Sequence, residues 1–293
     1  MPYVILVFGV FACSTAVLFI KVSETDAALL SAYRLLVAAI LLAPLTWRAW
    51  RAHPLPLNRQ YFGRIVPPAL FLALHFITWI VGARLTPSAN ATLIVNFVPV
   101  AMPFLLYFQL RERISRAEAG GTAIAFAGVL ALAVADFQYS QTHALGDAIC
   151  FGSMLLYTAY LVAARKNRDL ASVYLYIVPV YALSGLFSLL FAVLLLPVTG
   201  PIPLIGENWP MELVWILGLG IVPTIFGHSS IAWALRVIPG QSVAVINLGQ
   251  FVFAGILAFF ILDEVPHAPF YFASAAVVGG ALVVIRYRPA LRS

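Results

Sequence analysis

The sequence predicts an all-α integral membrane protein, ten transmembrane helices arranged as two inverted five-helix repeats. Three observations lead there. Of 293 residues, 63% are hydrophobic and only 10% charged, whereas a water-exposed surface carries charge on about a quarter of its residues. Apolar stretches long enough to cross a hydrocarbon core of roughly 30 Å recur along the whole chain. The second half, finally, repeats the residue order of the first.

The stretches run in order at about 2–20, 27–47, 64–83, 88–110, 118–136, 144–164, 172–196, 211–235, 240–262 and 268–286, each bounded by charged residues or by Pro and Gly. In hydrocarbon every backbone polar group has to be satisfied within the segment, so each stretch is expected to be a helix. Only Met1, Pro2 and Tyr3 precede the first, without a basic leader or a small-residue cleavage site, which predicts a retained helix and not a signal peptide. No room is left for a sizeable soluble domain.

Direction follows from the cations, which are retained on the cytoplasmic side. Fourteen of the seventeen Lys and Arg residues fall on one set of alternate loops: Arg48, Arg51, Arg59 and Arg64; Arg111, Arg113 and Arg116; Arg165, Lys166 and Arg168; Arg236; and Arg286, Arg288 and Arg292. The opposite set holds Lys21 and Arg84, and Arg34 lies inside the second stretch. Both termini are therefore expected in the cytoplasm, which requires an even number of spans. The net charge of +6 is distributed as topology signals and not as one basic face, so nucleic acid is not an expected partner; the lipid bilayer is. Cys13 and Cys150 sit in apolar stretches as small hydrophobes and form no disulfide pattern.

A shift of 152 positions superposes Arg84 on Arg236, Pro87 on Pro239, Ile94 on Ile246, Leu105 on Leu257, Glu112 on Glu264 and Gly128 on Gly280 without a gap. Each half has five spans, an odd number, so the second copy enters the membrane from the opposite side. The expected units are 1–137 and 144–287, followed by a cytoplasmic tail, 288–293. Transporters built this way place the substrate near the midplane, between the copies.

These residues resemble the EamA-type transporters of the drug/metabolite transporter superfamily, and within it the YddG-like amino acid exporter group. The resemblance rests on AYRLLVAAILL around Arg34, on the run from Ala73 through Pro99 to Glu112, on GDAICFGSMLLYTAYLVAARK, on GHSSIAWALRVIP, and on FFILDEVP ending at Glu264. It implies ten helices, residence in a bacterial inner (plasma) membrane, and passage of small metabolites, amino acids or drugs through a central cavity. One departure stands out. Where the second copy in that family commonly carries a Glu-Pro pair before the helix-end Glu, this chain has Gln250 and Phe251, which removes a carboxylate proton site.

Polar side chains inside hydrocarbon are costly and usually face a cavity or another helix. In the third stretch His75, Thr78 and Trp79 lie together, with His75 and Trp79 one helical turn apart. The eighth carries His228, Ser229 and Trp233 at nearly the corresponding depth. The fourth presents a stripe of Thr92, Asn96, Pro99 and Pro103, whose prolines free backbone carbonyls. The ninth carries Asn247 and Gln250, and the sixth Tyr157. Each can also be read as packing or interhelical glue, worth about 0.6 kcal/mol on average. As a set, His75, Thr78, Trp79, Thr92, Asn96, Tyr157, His228, Ser229, Trp233, Asn247 and Gln250 are the expected substrate-binding residues. Arg34 could recognise a carboxylate, pair with an acid at the helix end, or snorkel outward. Gly121, Ala125 and Gly128, with Ala273 and Gly280, read as small-residue packing faces; Glu112 and Glu264 read as helix-end anchors.

The expected function is a transporter of small metabolites, foremost amino acids including aromatic or apolar ones, by alternating access, with other small solutes or drugs as the alternative. No catalytic residue, metal or cofactor is expected. Intramembrane aspartyl proteolysis needs two aspartates at depth, a serine protease a Gly-flanked Ser with a His in register, and neither pattern occurs.

Overall fold

A computed structural model describes residues 1–137, 141–200, 202–265 and 268–287; the expected tail lies outside them. Among the described residues the regular structure is helical throughout: α1 Pro2–Ser14, α2 Ala16–Val22, α3 Ala27–Ala52, α4 Arg59–Leu85, α5 Ser88–Val95, α6 Val98–Leu110, α7 Arg116–Phe137, α8 Gln141–Lys166, α9 Tyr174–Thr199, α10 Trp209–Leu219, a π-helix Gly220–His228, α11 Ser229–Val237, α12 Gly240–Asn247, α13 Gln250–Leu262 and α14 Ala268–Arg286. Nine segments among the described residues are long and apolar enough to cross a membrane. Their outward surface carries large apolar side chains, such as Phe8, Ile40, Phe104, Leu194, Phe260 and Phe272, as a lipid-facing surface requires.

Several expected stretches are interrupted, and local chemistry says why. The fourth breaks between α5 and α6 because Pro99 brings no N–H for the carbonyl of Val95; the side chain of Asn96 turns back and donates to the Thr92 carbonyl (2.8 Å). The ninth breaks between α12 and α13 at Leu248 and Gly249. These positions superpose on Asn96 and Phe97 under the 152-residue shift. In the eighth, nine residues around Pro223 relax into π geometry, so that Ser229 N–H bonds five residues back to Thr224 O.

The carbonyls that prolines release are taken up across helices. Pro103 leaves the Pro99 carbonyl free, and Gln241 Nε2 donates to it (2.9 Å); Pro68 leaves that of Arg64, which accepts from Asn167 Nδ2 (3.4 Å). Close packing elsewhere relies on absent side chains, the device available where lipid gives no hydrophobic drive between helices. A Cβ on Gly280 would come 2.4 Å from the Gly121 carbonyl oxygen, and one on Gly128 2.4 Å from the Ala276 Cβ. As α7 runs forward from Gly121 to Gly128, its partners in α14 run backward from Val284 to Ala273. The two helices are therefore antiparallel and touch backbone to backbone.

Candidate functional site

Polar contacts sort the helix ends into two clusters, one at each end of the bundle. At the end rich in Arg and Lys, Arg64 pairs with Asp169 and donates to Asn167 Oδ1 (2.5 Å), while Arg236 donates to the Leu170 carbonyl. At the opposite end Glu212, buried, accepts from Ser23 Oγ (2.6 Å), Glu24 N (2.7 Å) and Thr25 Oγ1 (2.7 Å). Arg84 there donates to the carbonyls of Ile20, Ser23 and Thr25.

Glu112 and Glu264 end their helices in the same manner. The preceding residues, Arg111 and Asp263, both adopt left-handed backbone with φ 55°, and the Glu N–H groups reach back to the carbonyls of Leu106 and Ala258. Each carboxylate then caps a helix of the other half. Glu264 accepts from Ser88 N (3.0 Å) and Ser88 Oγ (2.9 Å) and pairs with Lys21 (3.4 Å). Glu112 accepts from Gly240 N (3.3 Å) and pairs with Arg165 (3.1 Å). Ser88 and Gly240 superpose under the same 152-residue shift, so the two latches are reciprocal. Arg165 also donates to the Leu235 and Ile238 carbonyls (2.7 and 3.1 Å).

Between the latches, a small cavity of about 20 Å³ is lined by Cys13, Ala16, Arg34, His75, Phe76, Trp79, Val95, Asn96, Tyr157, His228 and Gln250. That is room for one water. A chain of amides crosses it: Gln250 Nε2 donates to Asn247 Oδ1 (2.6 Å), and Asn247 Nδ2 donates to Asn96 Oδ1 (2.8 Å) and to the Tyr157 hydroxyl (3.5 Å). Tyr157 stacks on His75 at 4.6 Å, and His228 meets Tyr157 edge-on at 5.6 Å. Ser153 spends its hydroxyl hydrogen on the His75 carbonyl (2.8 Å). His75 Nδ1 therefore donates to Ser153 Oγ (2.8 Å) and Ser153 O (3.1 Å), which leaves Nε2 as the lone-pair nitrogen.

Of the eleven expected residues, His75, Trp79, Asn96, Tyr157, His228 and Gln250 line this cavity and Asn247 bonds to them. Thr92 joins only through its carbonyl. Thr78 turns its hydroxyl onto the Leu74 and His75 carbonyls of its own helix (2.7 and 3.1 Å). Ser229 meets the Tyr181 hydroxyl (3.3 Å) outside the lining. Trp233 packs half-buried against the apolar core, so the two tryptophans do not share the cavity; the π segment changes the turn that carries the eighth stretch toward it.

Arg34 is the member sequence reasoning weighed and left out. It does not snorkel, and it meets no acid among the described residues: it is fully buried, donates through Nε (3.1 Å) and Nη2 (3.0 Å) to Thr224 Oγ1, and lies 4.0 Å over the Phe76 ring. Ser153 and Thr224 were also missed. The first was findable as a hydroxyl one turn before Tyr157, the second only by foreseeing the π segment. A larger cavity of about 440 Å³ opens at the Arg/Lys-rich end, bordered by Gln60, Arg64, Phe71, Gln109, Lys166 and Asp169 among others.

A helical bundle with lipid-matched walls, latched at both ends around a small polar and aromatic centre, defines a membrane transporter of small solutes. The chain belongs to the EamA-like transporter family, whose sequence model matches it over residues 1–134 and again over 144–286. It is similar to an uncharacterized transporter, YetK, of Bacillus subtilis, 22% identical over 267 residues, 87% of this chain and 77% of that protein. It is also similar to solute carrier family 35 member G1 of Mus musculus, 27% identical over 294 residues, 95% of this chain and 74% of that one. A solved crystal structure shares the fold at TM-score 0.74 and 19% identity, covering 99% of both chains.

Proposed function

We propose that this chain is an alternating-access carrier for amino acids, including aromatic and apolar ones, working as an exporter or facilitator in a bacterial inner membrane with both termini in the cytoplasm. Its working parts are two inverted five-helix copies, 1–137 and 144–287, which complete ten spans when α7 is counted with the nine. One observation carries the reading: a polar centre built by both copies lies between two reciprocal latches, Glu112 on Gly240 and Arg165, Glu264 on Ser88 and Lys21. Opening one latch while the other holds exposes the centre to one side at a time.

Amides, a tyrosine and two histidines suit a zwitterion, and Phe76 and Trp79 suit an apolar side chain. Gln250 brings no titratable carboxylate into this centre, which favours gradient-driven passage or a histidine-based antiport over an acid-driven pump. Proteoliposomes loaded with labelled amino acids test the assignment: counterflow is expected for at least the aromatic and large apolar ones, and its absence for all twenty sinks it. Flux indifferent to an imposed pH gradient removes the antiport version.

A further inference from the structure

Arg165, the one arginine besides Arg34 that is buried among the described residues, has Glu112 and two carbonyls. The half-buried Arg84 and Arg236 donate to three carbonyls and to one. Arg34 is different. Its guanidinium, fully buried, rests on a single hydroxyl, that of Thr224. Among the described residues no carboxylate pairs with it, and its Nη1 has no hydrogen-bond partner. The same is true of His228 Nδ1. Both side chains line the central cavity, and both pack on the Phe76 ring, the guanidinium at 4.0 Å and the imidazole edge-on at 5.0 Å.

A buried cation left without a counter-charge is expensive, and orphaned buried donors add to that cost. The fold nevertheless holds Arg34 in place, through a threonine whose own hydrogen goes to the Leu219 carbonyl (2.7 Å). Thr224 thus accepts from Arg34 and can give it nothing more. The guanidinium is fixed, charged and incomplete, and Arg34 is part of the cavity lining. We infer that Arg34, with His228 beside it, is the subsite for a carboxylate borne by the transported solute. The cavity as it stands holds one water, so the solute enters only when a latch opens; its apolar body then lies against Phe76, Trp79, Val95 and Tyr157. The guanidinium fork matches a planar carboxylate. This rests on the carrier reading above but is narrower in one respect and broader in another: the carboxylate is required, the amino group is not.

The test needs no mutation to begin. Ligand binding to the purified chain in lipid nanodiscs, read as the shift in thermal midpoint with concentration, is compared for phenylalanine, 3-phenylpropanoate, phenylalaninamide and phenethylamine, with inorganic phosphate as a further probe. The two carboxylates are expected to bind, and the amide and amine to bind about tenfold to a hundredfold more weakly, the worth of one charge-assisted contact. Arg34→Gln is expected to erase the carboxylate-to-amide ratio and Arg34→Lys to keep part of it. A purely structural arginine would lower stability and leave that ratio alone. If Arg34→Gln does not fold, the ratio on the unmodified chain still decides. Amide binding within threefold of the carboxylate overturns the subsite. So does a panel in which neither carboxylate binds, or in which phosphate binds and they do not. Binding of 3-phenylpropanoate without phenylalanine keeps the subsite and retires the amino acid assignment instead.

Discussion

Replacing Glu112 by Gln removes one charge from the latch at the Arg/Lys-rich end and little else, because the amide oxygen can still accept from Gly240. What is lost is the negative charge facing Arg165, which is 3% exposed in its side chain and bonds to Glu112 at 3.1 and 3.4 Å. Those lengths sit at the long end for charge-assisted bonds, and Arg165 keeps its two carbonyls. The loss is therefore about 2 kcal/mol, near the lower range for a bond to a charged group. At about 1.4 kcal/mol per decade, that shifts the equilibrium between closed and open forms at this end by roughly thirtyfold. Glu264→Gln weakens the opposite latch less, by about 1 kcal/mol or roughly fivefold, because Lys21 is 22% exposed and rehydrates.

The assay is the rate at which a membrane-impermeant maleimide labels a single cysteine, with Cys13 and Cys150 first replaced by alanine. Ala234→Cys, fully buried beside the carbonyl that holds Arg165, reports one end, and Ala91→Cys, fully buried three residues beyond Ser88, reports the other. Glu112→Gln should raise labelling at 234 by an order of magnitude or more and not at 91, and Glu264→Gln should do the reverse more weakly. Labelling at 234 unchanged within twofold, or raised equally at both positions, would refute the latch assignment.

Alanine at Gly280 or Gly121 should lower the thermal midpoint in detergent through overpacking of about 1 to 3 kcal/mol. Alanine at Gly120 or Gly279, with nothing within 4 Å of the added carbon, should not; equal effects at all four positions would remove the seam as the cause. Asn247→Leu leaves Asn96 Oδ1 and Gln250 Nε2 without their partner and should cut counterflow at least tenfold. Restoring much of the flux by adding Asn96→Leu would mark the pair as glue, since a solute contact would not return. Burial raises the carboxyl of Asp169, but the bonds and charge of Arg64 outweigh it and hold it below its ordinary value of 3.8. The sign follows: this pair contributes stability above that value and loses it as pH falls through the lower, folded one. The side chain is 63% exposed, so the contribution is well under about 1 kcal/mol after screening. Thermal midpoints of the native chain and Asp169→Asn should converge as the pH falls through the lowered, folded value and differ slightly at about pH 6.

The helices were legible because hydrocarbon solvent leaves little choice: an apolar run of span length has to be helical. Proline and glycine punctuation was legible too, though not its outcome. Pro99 announces a break, but only the packed structure shows Asn96 filling the gap, or Gln241 arriving at the carbonyl that Pro103 released. Polar residues at matching depth were legible as a group, since His75, Asn96, Tyr157, His228 and Gln250 line one cavity. Reading the helices as uniform turns is what failed for Trp233. A π segment of nine residues has no composition of its own, so the faces of the eighth span could not be assigned from spacing. Arg34 was ambiguous for a related reason: whether a mid-span cation finds an acid depends on which loops fold over it, and spacing along one helix cannot say.

The α7 and α14 seam has a mechanical consequence. These are the last helices of the two matched segments, and where Gly121 faces Gly280 their backbones meet with no side chain between them to act as a lubricant. Two helices in such contact cannot slide along each other without lifting apart, because each carbonyl sits in a notch of the other. In the carrier proposed above, motion of one half against the other therefore has to turn about that line and cannot shear across it. The seam is a fulcrum on the rim of the bundle, and the displacement it permits grows with distance from it.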